Sequence, residues 1–276
     1  MSQETLASIE GTADRVRQFI EKTSLLGSGS DPYHEEIYVH IKDGQVDGLA
    51  SSAGNSSISY CSFAQGGYLD SVESEQDEGT EAIIDVSEFL SFFDWASNGK
   101  KAHVRFLGSE DDDLANKVVI ESKFKGEVML PASQSIKEKV PLGVVERFKD
   151  GEKWDNHVFY SNSGNEPTTE VKTSASSLAD IKDGADITGK EFFPIVVDDE
   201  EFQIVIEQET GGSRGSGSIE ADTQGMDVDN NYLHGFEELT SSLNGDIILR
   251  TAPDAPMSVI KDGDGYVLRH ILAPVQ

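Results

Sequence analysis

A serine flanked by glycines is the first feature of the chain with residue types that could do chemistry. Residues 211–215 read Gly-Gly-Ser-Arg-Gly and match the G-x-S-x-G pattern, in which a serine nucleophile stands on a turn between a strand and a helix. The residues after this motif, around Ile219, have the pattern of a strand. Because no helix is expected to follow, the motif predicts a glycine-rich turn and not a nucleophile.

A second motif has the spacing of a phosphate-binding loop. Gly184, Gly189 and Lys190 stand at the positions of a G-x-x-x-x-G-K-[ST] loop, in which the last hydroxyl binds magnesium. Glu191 takes the place of that hydroxyl, and a helix precedes the motif where a strand is required. The sequence therefore predicts no nucleotide site here.

Residue types that bind metals are present but are not spaced as ligands. Asp262, Gly263, Asp264 and Gly265 form a run too short for a calcium loop and typical of a hairpin turn. The six histidines show no ligand spacing with one another or with Cys61. We therefore expect no catalytic residue, no metal ligand and no cofactor, and the chain is not predicted to be an enzyme.

The charge of the chain is strongly negative along its whole length. Acidic residues number 51 against 22 basic ones, which gives a formal net charge of -29 over 276 residues. Hydrophobic residues make up 37% and fall into periodic runs, unlike those of a disordered acidic chain. This composition favours a folded, halophilic protein surface over recognition of a cationic partner.

The single cysteine and the lack of long apolar runs bear on the location of the protein. Cys61 has no partner for an intrachain disulfide, and we expect it in a buried strand. Residues 1–15 have neither a basic start nor an apolar core, and no run is long enough to span a bilayer. The sequence therefore predicts a soluble, cytoplasmic protein with no membrane partner.

The elements that surround these motifs repeat in two similar halves. The ordered part begins with residues 9–26, where a helix is predicted after Thr12 as cap, and further helices are predicted at 87–97, at 174–183, and after Asp229 or Asn230 up to Gly245. Each half then has two short helices among about eight strands. Residues 131–141 are polar with a proline at each end, which predicts a connector. We expect an N-terminal domain over residues 1–130, this connector, and a C-terminal domain over 142–276.

Several stretches occur in an order that is more specific than any one of them. The C-terminal end reads helix, glycine, strand, proline-led strand, Asp-Gly turn, strand and a final Leu-Ala-Pro-Val-Gln. Residues 39–44, 123–141 and 169–187 followed by 202–206 complete the set. In this order they resemble the sliding clamps of the proliferating-cell-nuclear-antigen (PCNA) family, over nearly the whole chain. The resemblance implies an α+β clamp fold of two repeated domains, each with curved antiparallel sheets and two short helices.

Two departures from the family pattern affect local geometry. Ser51 and Ser52 stand where the family usually has an aspartate at a strand end. Residues 143–167 form a longer entry to the second domain than is usual. Both leave the overall resemblance in place.

Membership of this family would make the chain a DNA sliding clamp of archaeal, halophilic type, with a viral origin left open. The resemblance implies a homotrimeric ring that encircles duplex DNA, works with a clamp loader, and tethers DNA polymerase and other replication or repair enzymes. Basic side chains on the helices would meet phosphates without reading bases. The candidates are Arg15, Arg17, Lys22, Lys100, Lys101 and Lys182, and the fourth helix offers only His234. For each of them a solvated helix face is the alternative.

The resemblance also implies a pocket for partner peptides between the connector and the C-terminal tail. In the family such a pocket receives apolar and aromatic side chains of a polymerase or nuclease tail. Carried onto this chain, it would use Leu49, Ala50, Ile136, Val140, Pro256, Ala273, Pro274 and Val275. Leu49 and Pro256 are equally well interpreted as ordinary core residues.

Subunits of such a ring would pair through strand edges. By resemblance, the edges are residues 123–130 of one copy and roughly residues 218–223 of the next. Lys123 and Lys125 would then face Glu220 and Asp222, and these opposite charges would fix the register.

Two other functions remain open from the sequence. A clamp-fold protein that does not close a ring would act as a monomeric binding module or as a decoy for clamp partners. An unrelated β-rich halophilic hydrolase is the third possibility.

Overall fold

The structure is a computed structural model. It describes residues 3–26, 31–52, 56–97, 100–109, 114–131, 167–188, 192–207, 214–233 and 235–275. The chain divides into two compact units. Unit 1 comprises Met1–Ser52, Ser59–Val140 and Asp262–Leu268, and unit 2 comprises Ala53–Ile58, Pro141–Lys261 and Arg269–Gln276. Apart from Pro131, the predicted connector lies outside the described residues, and the predicted domain boundaries stay a prediction.

Two helices and nine strands are described in the first half of the chain. In order they are β1 (Glu4–Thr12), α1 (Ala13–Thr23), β2 (Glu36–Lys42), β3 (Gln45–Ser51), β4 (Ser57–Ala64), β5 (Ser71–Ser74), β6 (Thr80–Asp85), α2 (Val86–Ser97), β7 (Lys101–Gly108), β8 (Lys117–Glu121) and β9 (Lys125–Met129).

The described part of the second half has the same kinds of element. In order they are β10 (Thr169–Ser174), α3 (Ala175–Thr188), β11 (Phe193–Asp198), β12 (Glu201–Glu207), β13 (Arg214–Ile219), β14 (Asp222–Gly225), β15 (Val228–Tyr232), α4 (Phe236–Ser242), β16 (Asp246–Thr251), β17 (Met257–Gly263) and β18 (Tyr266–Leu272).

Unit 1 contains a five-stranded antiparallel sheet in the order β5-β1-β7-β8-β9. Ile9 of β1 lies opposite Val104 of β7 on one side and Val72 of β5 on the other. All three side chains are buried, so this row forms part of the core. Strand β9 is the last strand of the sheet, which leaves it at an edge.

Helix α1 packs closely on strand β3 because residue 48 is a glycine. The helix buries Ala13, Val16, Phe19, Ile20 and Thr23, which recur at steps of three and four. A Cβ atom on Gly48 would lie 2.5 Å from Thr23 Oγ1 and 2.9 Å from the Phe19 ring. Any side chain at residue 48 would therefore push the helix away from the strand.

Unit 2 contains a four-stranded antiparallel sheet in the order β13-β12-β11-β15. Strand β10 pairs with β14 on one side and with β16 on the other, and β16 pairs with β17. Helix α3 buries Leu178 and Ile181. The ring of Phe236, at the start of α4, stacks on that of Phe193 in β11 with ring centroids 4.5 Å apart.

Several sequence predictions are confirmed. Helix α2 buries Phe89, Leu90, Phe93 and Ala96, the four residues predicted to face inward. Gly44 adopts a φ of 79° in the turn between β2 and β3, as the Asp-Gly pair predicts. Cys61 is fully buried in β4, and this burial raises the pKa of its thiol.

Two predicted elements are wrong, and a strand replaces each of them. Helix α1 begins after Thr12, as the predicted cap implies, and strand β1, which was not predicted, ends at that residue. Residues 214–219 form β13 instead of a turn. Residues 228–232 form β15, and the last helix starts at Phe236. Pairing with distant strands overrides the local signals: Asn230, predicted as a cap, lies opposite Ile195 in β11.

Candidate DNA and partner interfaces

Two of the predicted DNA-facing cations in unit 1 are paired with carboxylates. Arg17 forms an ion pair with Asp94 of α2 and donates to Glu21 Oε1 at 2.6 Å. The hydrogen bond to Asp94 is the main cause that raises the pKa of the Arg17 guanidinium. Lys101 Nζ lies 2.6 Å from Asp70 Oδ2, and this contact raises the pKa of Lys101 and lowers that of Asp70. Both charges are compensated within the protein.

Lys182 in unit 2 is also paired with carboxylates. Its Nζ lies 2.8 Å from Asp186 Oδ2, one turn further along α3, and 3.6 Å from Glu237 Oε1 of α4. The hydrogen bond that Lys182 donates to Asp186 is the largest cause that raises the pKa of Lys182. Lys182 thus connects two helices instead of standing alone on one.

Aromatic rings hold two further cations of α1. The guanidinium carbon of Arg15 lies 5.4 Å from the centroid of the Tyr68 ring, and its Nη1 donates to the Tyr68 carbonyl at 3.0 Å. Lys22 Nζ lies 5.7 Å from the centroid of the Tyr266 ring. The two tyrosine rings pack edge to face with centroids 5.3 Å apart. A cation–π contact leaves the positive charge of the side chain in place.

Acidic side chains outnumber basic ones on the described helices. The basic residues are Arg15, Arg17, Lys22 and Lys182, whereas the acidic ones are Asp14, Glu21, Glu88, Asp94, Asp180, Asp183, Asp186, Glu237 and Glu238. Lys100 is exposed just beyond α2, and His234 lies outside the described residues. Helices with a net negative charge repel phosphate groups in dilute buffer. The predicted DNA-facing roles of the six cations stay a prediction.

The predicted pocket residues of unit 1 are either buried or not described. Leu49 and Ala50 are each 0% exposed, and Leu49 lies opposite Tyr38 in the pairing of β2 with β3. This burial favours the interpretation of Leu49 as a core residue. Ile136 and Val140 lie outside the described residues, so their part in a pocket stays a prediction.

The pocket residues of unit 2 lie on a loop and on the C-terminal tail. Pro256 is half-buried in the loop between β16 and β17. In the tail, the Ala273 amide donates to the Ser56 carbonyl at 2.8 Å and the Val275 amide donates to the Asn231 carbonyl at 2.8 Å. Pro274 forms a bridge with Tyr232 of β15, while the Val275 side chain is 44% exposed. The tail is thus held by its backbone and leaves side-chain surface uncovered.

The predicted interface lysines lie at the sheet edge of unit 1 and already have partners. Lys125 Nζ lies 2.9 Å from Glu127 in the same strand, and Lys117 Nζ lies 2.5 Å from that carboxylate. Chiefly through Lys117, these two contacts lower the pKa of Glu127 to about 2. Lys123 Nζ lies 5.2 Å from the centroid of the Phe124 ring.

The predicted acidic edge of unit 2, residues 218–223, needs a correction because it spans two strands of different sheets. Strand β13 ends at Ile219 and is the last strand of the four-stranded sheet. Asp222 begins β14 and lies opposite Lys172 of β10. Glu220 stands between the two strands, where its carbonyl accepts a hydrogen bond from Thr173. The edge strand of this sheet is therefore Arg214–Ile219, rich in glycine and serine.

Large apolar side chains are exposed at the β9 edge, and the sequence analysis missed them. Phe92 and Trp95 of α2 are 39% and 57% exposed, and Phe124 and Met129 are 44% and 62% exposed. The Trp95 and Phe124 rings stack with centroids 5.2 Å apart. Helix α2 has more apolar residues than its inward face can hold, and this excess is the signal that indicates an outward-facing patch.

Neither a metal site nor a membrane span is found in the described parts of the chain. No cluster of three or more His, Cys, Asp or Glu side chains there is placed to hold a metal ion. Among the helices that the structure describes, none combines the length and hydropathy needed to cross a bilayer.

Solved structures with the same architecture extend along the whole chain. PCNA from Entamoeba histolytica is similar with a TM-score of 0.71 at 12% identity, over 99% of this chain and 100% of that chain. A structure of the C-terminal region of FEN-1 bound to A. fulgidus PCNA is similar with a TM-score of 0.70 at 13% identity, over 98% and 99%. A putative DNA polymerase III beta subunit from Eubacterium rectale has a TM-score of 0.68 at 14% identity, over 99% and 66%.

The TM-scores establish a shared fold, and at identities of 12% to 14% they establish the fold alone. No family model and no curated protein matches the sequence itself. The α+β clamp fold predicted from the sequence is confirmed by these structures.

Proposed function

We propose that this chain is a DNA sliding clamp of PCNA type, a processivity factor without catalytic activity of its own. The observation that carries the proposal is the similarity in fold over essentially the full length of both chains, 99% of this one and 100% of the E. histolytica PCNA. A clamp acts through its architecture, since it encircles duplex DNA and holds enzymes beside it. The acidic composition of this chain is suited to the high salt concentration of a halophile's cytoplasm.

Three copies would close a ring through the two edge strands. Strand β9 ends the five-stranded sheet and β13 ends the four-stranded one, so each has an edge from which backbone groups can pair. Trp95, Phe124 and Met129 would supply apolar contact at the β9 side. Glycine and serine in β13 would let these bulky side chains approach its backbone. The predicted attraction of Lys123 and Lys125 for Glu220 would act at the rim of this joint.

DNA would be retained by topology more than by attraction. Arg15 and Lys100 are the best candidates for phosphate contact, and Lys22, which lies on the Tyr266 ring, keeps its predicted role. Arg17, Lys101 and Lys182 are compensated by carboxylates. Few phosphate contacts give weak affinity, which a closed ring does not need.

Partner enzymes would bind beside the C-terminal tail through short peptides. The A. fulgidus PCNA was solved with the C-terminal region of FEN-1 bound. By analogy, a peptide with a glutamine and aromatic residues would contact Pro256, Ala273, Pro274 and Val275 here. DNA polymerase and a clamp loader are the expected partners.

A second candidate function is that of a monomeric binding module that competes for clamp partners. The acidic excess on the helices favours it, because such a module has no need to approach DNA.

Native mass and topological retention test the proposal together. Light scattering coupled to size-exclusion chromatography measures the native mass in multimolar KCl and in dilute buffer. In multimolar KCl at least, this mass should be three times the 30.0 kDa of the chain. Protein allowed to thread onto linear DNA, whose ends are then blocked with streptavidin, should stay bound until a restriction enzyme cuts the DNA. A monomer under both conditions, or release that is independent of cutting, would exclude the ring and favour the second candidate.

A further inference from the structure

Three buried polar side chains in unit 2 form a connected hydrogen-bond network. Asn230 and Tyr232 of β15 and Thr251 of β16 are 4%, 0% and 2% exposed. Tyr232 Oη lies 3.0 Å from both Asn230 Nδ2 and Thr251 Oγ1, and Asn230 Nδ2 lies 3.2 Å from Thr251 Oγ1. Burial raises the pKa of Tyr232 to about 12, so its hydroxyl keeps its proton and can donate. Polar groups this deeply buried are costly unless each is satisfied.

The network satisfies the backbone of the loop at residues 252–256. Asn230 Nδ2 donates to the Ala252 carbonyl at 2.8 Å, and Asn230 Oδ1 accepts from the Asp254 amide at 2.9 Å. Tyr232 Oη donates to the Ala255 carbonyl at 2.9 Å. Asp254 is held at a φ of 57°, a conformation that non-glycine residues rarely adopt. Side chains of one strand thus fix the shape of this loop.

The same strand fixes the C-terminal tail through its backbone. Asn231, between the two network residues, accepts the Val275 amide at 2.8 Å, and Tyr232 forms the bridge with Pro274. Strand β15 therefore organises the loop with alternate side chains and the tail with its main chain. Pro256 and Val275, two of the residues predicted to contact partner peptides, are positioned by these two segments.

We infer that Asn230, Tyr232 and Thr251 are positioning residues that lock the 252–256 loop into a preformed shelf, beside the tail that the β15 main chain holds, for an extended partner peptide with apolar or aromatic side chains. The inference rests on the proposed function. A shelf that is ordered before binding spares the peptide complex the entropic cost of ordering it. The lock raises affinity without touching the peptide.

Substitutions that remove single hydroxyls test the lock. Tyr232→Phe and Thr251→Val keep the buried volume and remove hydrogen bonds, whereas Thr173→Val makes the matched change at another buried threonine of unit 2, which bonds Ser177 and the Glu220 carbonyl. The probe is a synthetic peptide with the glutamine-plus-aromatic motif, titrated in multimolar KCl. Hydrogen exchange at the amides of Asp254 and Val275 is followed in the same proteins.

Both lock variants should bind the peptide about 5- to 10-fold more weakly than the parent, as the loss of roughly 1 kcal/mol of hydrogen bonding implies. Their Asp254 amide should exchange faster, because it bonds the Asn230 side chain that the network holds. The Val275 amide bonds the main-chain carbonyl of Asn231 and should exchange as in the parent, and Thr173→Val should match the parent in all readouts. Parental affinity in either folded lock variant overturns the role of the lock in binding, and unchanged exchange at Asp254 overturns the lock itself. If the parent binds no peptide, the proposed peptide function fails, while exchange at Asp254 still decides whether the lock exists.

Discussion

Arg17 joins the two helices of unit 1, because its guanidinium pairs with Asp94 of α2 while it also donates to Glu21 one turn along α1. Arg17, which the sequence analysis predicts to contact DNA, is therefore paired with carboxylates of the protein itself. The same holds for Lys101 with Asp70 and for Lys182 with Asp186. These ion pairs distinguish basic residues with a structural role from basic residues that are candidates for phosphate contact. The two groups are expected to have different functions.

Asp94→Asn should lower the free energy of unfolding in dilute buffer by about 0.2–1 kcal/mol, the usual range for partly exposed ion pairs. The difference from the parent should shrink in multimolar KCl, since the screening length is about 3 Å at 1 M. Chemical denaturation at two salt concentrations measures both values. A difference that grows with salt would contradict the electrostatic role of the pair.

Retention on end-blocked DNA should increase with KCl concentration, contrary to the ordinary behaviour of DNA-binding proteins. The acidic residues of the helices repel phosphates, and salt screens this repulsion. The fraction of protein that stays on blocked DNA after a wash, measured from dilute buffer to multimolar KCl, checks the direction. Open-ended DNA of the same sequence is the control, and retention that falls steadily with salt would show attraction instead.

Met129→Lys should shift the native mass from trimer toward monomer, because Met129 is 62% exposed on the edge strand β9 and a buried lysine without a partner is costly in a subunit joint. Met226→Lys provides the matched control, since Met226 is 57% exposed and belongs to unit 2. Light scattering at one salt concentration compares them. Equal masses for the two variants would exclude this edge from the joint.

Acid should destabilise unit 1 through His34. Burial lowers the pKa of His34 from its ordinary value of 6.5 to about 4, so the unfolded chain takes up a proton between these pH values before the folded chain does. Stability is thus lost as pH falls through this window, by up to about 1.4 kcal/mol per pH unit for one such group. His34→Phe keeps an aromatic ring and removes the proton site. Its unfolding free energy should fall less than that of the parent between pH 6.5 and pH 4, and parallel profiles would exclude His34 as the cause.

Gly48→Ala should lower the free energy of unfolding by about 1–3 kcal/mol, as overpacking usually does. The added methyl would lie 2.5 Å from Thr23 Oγ1, where α1 meets β3. Thermal and chemical unfolding measure the effect. Thr23→Ser removes the Cγ2 methyl, which would lie 2.8 Å from the added Cβ, and should recover part of the loss in the same background if this crowding is the reason. A neutral Gly48→Ala would show that the helix shifts at no cost.

The sequence correctly predicts those elements whose structure depends on residues close together in the chain. The stripe of Phe89, Leu90, Phe93 and Ala96 gives α2, and the Asp43-Gly44 pair gives the first hairpin. Strand β1 was missed because its identity depends on pairing with β7, almost a hundred residues later, where Ile9 meets Val104. The caps expected at Asp229 and Asn230 fail for the same reason, since pairing with β11 places them in a strand.

Site residues are harder to predict than elements because their partners are remote in sequence. The basic character of Arg17 is visible in the chain, but Asp94, which compensates it, lies 77 residues away. The network of Asn230 with Tyr232 and Thr251 has no motif at all, since alternate residues of one strand meet a single threonine of another. Resemblance to a known family identified the tail, and only the three-dimensional structure shows what holds it.

Complete burial of Cys61 makes the protein convenient for site-specific labelling. It is the one cysteine of the chain, and its raised pKa keeps the sulfur in the unreactive thiol form. A cysteine introduced at an exposed helix position such as Ser241 would then be the thiol that a maleimide dye reaches first, with the native residue left in place. A fluorescent form of the protein for single-molecule observation would therefore require one substitution, and Cys61 would not have to be removed.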